Sequence, residues 1–168
     1  DHSADEGSVL SMLRDHGCAN GEACPPGDRR AIDAFIATHG VIADATAQRV
    51  SATGIKTIGL LGTRFTMEED FYKGRLSHSY GLKVIVPDDD ERKIVHRVIY
   101  DELVLGNIRP ESRAHYARIM ERLVQSGAEG IILGCTEIGL LVHDEDSRVP
   151  LFDTTRIHAV AAVEYALA

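Results

Sequence analysis

A chain of 168 residues with 44% hydrophobic and 26% charged side chains can bury one substantial core, but not two full-sized ones. Its formal charge of −8, with Lys and Arg scattered among acids, argues against nucleic acid as a partner, and no apolar run approaches the roughly 20 residues of a membrane span. A small-molecule ligand is the expectation, and Cys18, Cys24 and Cys135, with no signal-like N-terminus, fit a reducing cytoplasmic setting better than a disulfide framework.

Residues 1–40 differ in character from the rest. Gly17, Gly21, Pro25, Pro26 and Gly27 break up a polar stretch, which reads as helix, loop, then a helix with Asp28 as N-cap and Ile32, Phe35 and Ile36 on one face. Cys24 to Arg30 has the C-x-x-G-x-x-R spacing of a phosphate-cradling loop, yet two prolines remove backbone donors and Asp28 adds a negative charge. His16, Cys18, Cys24 and His39 lack the compact pairing of a zinc site, so no metal is expected there.

Beyond residue 40 the pattern becomes regular. A helix from Ala43 to Ala52 stops before Gly54, and Lys56–Leu61 reads as a strand ending in a Gly62-Thr63 turn. Thr66 and Glu69 have the spacing of a capping box for a helix carrying Phe71, Leu76 and Tyr80, stopped at Gly81. Leu82–Val86 is a second strand, ended by Pro87. Asp88, Asp89, Asp90 and Glu91 open a helix to about Leu105; acids suit the positive end of its dipole, which explains the run better than a metal site does. Pro110 opens a helix with Tyr116, Met120, Leu123 and Val124 on its apolar face, ended at Gly127. Gly130–Leu133 is a third strand, followed by a short helix, a fourth strand at Pro150–Phe152 and a terminal helix from Thr154 to Ala168.

Strands alternating with helices predict an α/β fold, with about four parallel strands flanked by helices. Ligands of such sheets bind beyond the carboxyl ends of the strands. Three of those ends carry polar groups: Gly62-Thr63, Cys135-Thr136-Glu137 and Asp153-Thr154-Thr155. Cys135 follows Gly134 where strand gives way to helix. A thiol at a helix N-terminus is expected to ionise below its usual value of about 8.5; the alternative, a packed structural cysteine, stays open on position alone. Of the eight histidines, His158 is the nearest credible partner for it.

The segment Ile131-Ile132-Leu133-Gly134-Cys135-Thr136-Glu137-Ile138-Gly139-Leu140-Leu141 closely resembles the second cysteine signature of the aspartate/glutamate racemase family, cofactor-independent amino-acid racemases. The resemblance runs from about Ile42 to the C-terminus, through IADAT, GIKTIGLLGTRFTMEEDFYKGRL, VIYDEL and PLFDTTRIHAVAAVEYAL, and lies nearer the aspartate and broad-specificity members. It implies that residues 41–168 are a racemase-like second domain, in a family whose active site lies between two similar α/β domains. It also implies an isomerase with no cofactor and an amino-acid substrate, in which two opposed residues exchange the α-proton. Cys135 matches the second of these. Thr136 then matches a donor to the substrate carboxylate, through its hydroxyl or backbone N–H, and Glu137 orients the site or meets the substrate ammonium; the Gly62-Thr63 turn, with Thr63, resembles a substrate-binding loop of the family, and Asp153 and Thr154 fall in its closing motif. Residues 1–40 do not show the glycine-rich strand or the C-N-T or T-N-T segment that carries the first catalytic residue, Cys18-Ala19-Asn20 being the nearest approach. The expectation is therefore half of a racemase's machinery, weak or inactive by itself. A decarboxylase or cis-trans isomerase of the same superfamily is the chemical alternative. A non-catalytic small-ligand domain, with room for a homo-oligomer to close the crevice, is the other.

Overall fold

Gly130-Ile131-Ile132-Leu133 is buried at every position, as a continuous apolar run must be when both faces of its strand are covered. This strand, β3, belongs to a computed structural model that describes residues 42–167; the helix, loop and thiol readings made for residues 1–40 lie outside those residues. In chain order the structure runs through helix α1 (Ile42–Ser51), β1 (Thr57–Leu61), α2 (Arg64–Glu68), α3 (Asp70–Tyr80), β2 (Lys83–Ile85) and α4 (Asp89–Asp101). A 3-10 turn at Leu103–Leu105 leads to α5 (Pro110–Gln125), β3 (Gly130–Leu133) and α6 (Ile138–Leu141). A second 3-10 turn (Asp144–Asp146), β4 (Leu151–Asp153) and α7 (Thr154–Leu167) complete it.

The strand order is β2-β1-β3-β4, with every pair parallel. The two central strands are therefore β1 and β3, and they end on the same rung, Leu61 opposite Leu133. On one face Leu61, Ile131 and Leu133 join Val95, Val98 and Ile99 of α4 and Tyr116, Ile119, Met120 and Leu123 of α5 in one apolar core. The alternate residues Ile58, Leu60 and Ile132 point to the opposite face and are fully buried as well. There α1 packs along α3 and α7. Asp44 of α1 takes a two-pronged ion pair from Arg75 of α3, at 2.7 Å on each oxygen, and a 3.0 Å bond from the Tyr80 hydroxyl. None of the described helices is long and apolar enough to cross a membrane.

The sheet and flanking helices match the α/β expectation, and two local readings change. Thr66 and Glu69 form no capping box. Thr63 caps instead, its side chain accepting from the Thr66 N–H, and Glu69 is extended (φ −80°, ψ 150°), so one expected helix becomes the pair α2 and α3. The acidic run does open a helix: Asp88 accepts from Glu91 N–H while Glu91 reaches back to the Asp88 N–H, and Lys93 pairs with Asp89 and Asp90. That helix stops at Asp101 and tightens into the 3-10 turn before the αL glycine, Gly106.

Candidate functional site

The carboxyl ends of β1, β3 and β4 are tied together by backbone geometry before any functional side chain is considered. Just past the last rung, Gly134 N–H donates to the Leu61 carbonyl at 2.7 Å, so the two loops leave the sheet in contact. That approach leaves no space for a side chain: a Cβ on Gly134 would stand 2.9 Å from Leu61 O and 3.2 Å from Thr66 Cγ2. The Thr66 methyl also crowds Gly62, where a Cβ would meet it at 3.0 Å. One threonine thus spans the start of both loops. From β4, the Thr154 hydroxyl donates to the Leu133 carbonyl at 2.8 Å, and Asp153 Oδ1 accepts from Thr155 and Arg156 N–H to cap α7.

Thr63 and Cys135 occupy equivalent places, each two residues past the Leu61–Leu133 rung. The Thr63 hydroxyl accepts from Thr66 N–H at 3.3 Å and lies 3.1 Å from the Thr66 hydroxyl. When Thr66 supplies both donors, the two acceptor directions of Thr63 are filled and its own proton is available to an incoming anion. By sequence Thr66 is a helix cap; the Thr-x-x-Thr spacing after a strand-ending glycine is the available sign of this pairing.

Cys135 is half-buried against the apolar core that contains Tyr116. Its thiol donates to Glu137 Oε2 at 2.9 Å. The acceptor is therefore a carboxylate two residues on rather than His158. The expectation of an acidified thiol is overturned. Burial, then the bond to Glu137 and its negative charge, push the Cys135 thiol up to about 11, and the nearby backbone N–H groups of Thr136 and Glu137 only partly oppose them. The helix that was to favour a thiolate starts later, at Ile138, and has only four residues, too few to build a dipole. Thr136 is exposed, with its backbone N–H on the sulfur side.

Behind the thiol, the buried Tyr116 hydroxyl donates to Val95 O at 2.9 Å. Its ionisation is suppressed first by burial and then by Cys135. Among the described residues no group of three or more His, Cys, Asp or Glu is placed to hold a metal ion. The site can hold a proton on sulfur, pass it between sulfur and carboxylate, and offer hydroxyl and amide donors to an anion beside it.

The family model for Asp/Glu/hydantoin racemase matches residues 41–162. Among solved structures, a Yersinia pestis protein provisionally assigned as an Asp/Glu racemase is 44% identical with a TM-score of 0.78, over 99% of this chain and 77% of that one. An aspartate racemase homologue from Pyrococcus horikoshii OT3 is 30% identical with a TM-score of 0.75, over 100% of this chain and 78% of that one. The aspartate racemase of Picrophilus torridus, at 23% identity and a TM-score of 0.59 over 74% and 51%, shares the fold. An uncharacterized protein in the pnlA 3′ region of Pectobacterium carotovorum subsp. carotovorum is 32% identical over 104 residues, 62% of this chain and 67% of that protein. With most of its length matched by the family model and this sheet beneath the cysteine loop, the chain belongs to the Asp/Glu/hydantoin racemase family.

Proposed function

We propose that the chain acts in cofactor-independent amino-acid racemisation, with Cys135 as one of the two groups that exchange the substrate α-proton and with Glu137 as its proton partner. The observation that carries this reading is the 2.9 Å bond between the Cys135 thiol and the Glu137 carboxylate. A thiol pushed up to about 11 rests in its protonated form at neutral pH, which is the form that delivers a proton to Cα. Once ionised it is a correspondingly strong base for the reverse transfer. A substrate ammonium beside Glu137 neutralises the carboxylate and removes part of what holds the proton on sulfur, so binding itself moves the thiol toward ionisation. Thr63, through its hydroxyl, and Thr136, through its backbone N–H or hydroxyl, donate to the substrate carboxylate at the ends of adjacent strands. The second acid/base group comes from outside residues 42–167, and turnover is slow wherever it is not supplied. A reducing compartment such as the cytoplasm keeps the thiol in service.

Incubating the chain with aspartate or glutamate in deuterium oxide tests the reading. Cys135 alone suffices to exchange the α-proton on its own face even where racemisation is slow, so deuterium appears at Cα with the wild type and not with Cys135→Ala; equal exchange in both, or none in the wild type, overturns it. A protonated thiol on one face also suits the second reading, a decarboxylase that protonates a single face. Carbon dioxide release from an arylmalonate, with no exchange into either amino acid, would favour that chemistry.

A further inference from the structure

The turn that holds Thr63 is fastened from outside by a residue with no part in the core. Helix α2 has five residues, too few to hold itself by its own hydrogen bonds, and its first N–H groups need acceptors. Thr63 takes that of Thr66. The Arg64 N–H, immediately after Thr63, donates to Nδ1 of His96 on α4 at 3.1 Å. That bond fixes the tautomer: Nδ1 accepts, so the proton is on Nε2. The imidazole is held in turn by Phe65, edge-on at 6.5 Å between centroids, and by Tyr100 at 4.7 Å. Phe65 is 60% exposed, so its ring serves this contact rather than the core. The far end of α2 has a separate tie, since Glu68 receives Arg64 at 2.8 Å and Arg92 of α4 at 3.2 Å. Losing the imidazole therefore frees the Thr63 end of α2 alone. The support behind it is firm, because α4 runs for 13 residues and begins in the Asp88–Glu91 capping box.

We propose that His96 is a positioning residue for the Thr63 turn: by accepting the Arg64 N–H it sets the direction in which Thr63 presents its hydroxyl. This rests on the reading of Thr63 as a donor to the substrate carboxylate, a contact made in ground and transition state alike. Its loss then appears in KM more than in kcat.

Two substitutions in the full chain separate acceptor from ring. His96→Phe keeps a ring between Phe65 and Tyr100 without an acceptor, and His96→Asn keeps an acceptor near the Nδ1 position without the ring. The expected result is a KM for aspartate or glutamate raised about five- to tenfold in His96→Phe, with kcat within about twofold, and both constants within about twofold of wild type in His96→Asn. An unchanged KM in His96→Phe, or a His96→Asn variant as impaired as His96→Phe, overturns the proposal. The backbone amide of Arg64, followed by nitrogen-15 NMR without ligand, gives a readout independent of turnover. Its resonance should shift and exchange faster with solvent in His96→Phe and stay near its wild-type position in His96→Asn. A chain that turns over no amino acid refutes the functional reading, and the Arg64 amide then decides the structural claim alone: no shift in His96→Phe overturns it.

Discussion

Gly139, the second residue of α6, lies so close to Asp153, the last of β4, that a Cβ on the glycine would stand 2.9 Å from Asp153 Oδ2. The other oxygen of the same carboxylate caps α7. Gly139→Ala must then push on a side chain that is already engaged. The expected cost is about 1–2 kcal/mol, from crowding and a weakened cap, read by urea denaturation. In an Asp153→Ala background the added methyl should cost little. Equal costs in both backgrounds would show that the two residues are not coupled.

The Cys135 thiol should titrate late. Alkylation by a small reagent is expected to accelerate with pH up to about 11, well past the ordinary thiol range. Glu137→Gln removes the negative charge, weakens the bond that the thiol donates and leaves the largest cause, burial, so the midpoint moves down but stays above the ordinary value. The raised value also carries a sign for stability. The contribution of this group is fully present below the ordinary thiol pKa and is lost as pH rises toward about 11. A midpoint unmoved by Glu137→Gln would remove Glu137 as the thiol's partner.

At the other end of the sheet, Glu129 accepts from the backbone N–H groups of Thr57, at 2.8 Å, and Lys56, at 2.9 Å. The Thr57 N–H, then that of Lys56, hold its carboxyl below the usual carboxylate range. A lowered value stabilises the fold above the ordinary pKa and stops doing so as pH falls through the lowered one. Thermal melts between about pH 5 and pH 3 should therefore fall less steeply for Glu129→Gln than for wild type. Parallel slopes would count against the contact.

Asp44→Ala strips Arg75 and Tyr80 of their shared acceptor and parts α1 from α3. A loss of about 1–3 kcal/mol is expected, since a charge-assisted pair on a largely buried carboxylate is involved. Asp44→Asn keeps the shape and recovers part of that loss. A neutral result for Asp44→Ala in chemical denaturation would show the pair to be solvent-screened.

The sheet was legible in the sequence because each strand is a short apolar run bounded by turn residues. Ile131 to Leu133 has one plausible reading, and Pro110 and Gly127 bracket α5 in the manner that helix ends dictate. The break between α2 and α3 was hidden, because Thr63 and Thr66 are both credible caps three residues apart; only the position of Thr66 against Gly62 and Gly134 decides which one acts. At the site, Cys135 could be found from its neighbours along the chain. The state of its proton could not, since burial and a side chain folding back from Glu137 depend on where α6 begins. His96 carried no local sign at all, because its contact with Arg64 joins α4 to α2 across the intervening α3 and β2.

The shared last rung of β1 and β3 makes the sheet a ruler. Thr63 and Cys135 are far apart along the chain, yet their separation is metered by one inter-strand spacing of about 4.8 Å and by equal counts of two residues from Leu61 and Leu133. Substitutions among the helices perturb that measure little. A single residue inserted or deleted in either two-residue count would displace one partner by about 3.3 Å, more than a hydrogen bond tolerates. Length in these two loops is thus the quantity least free to vary, whereas the connection between α4 and α5 can lengthen without the rung registering it.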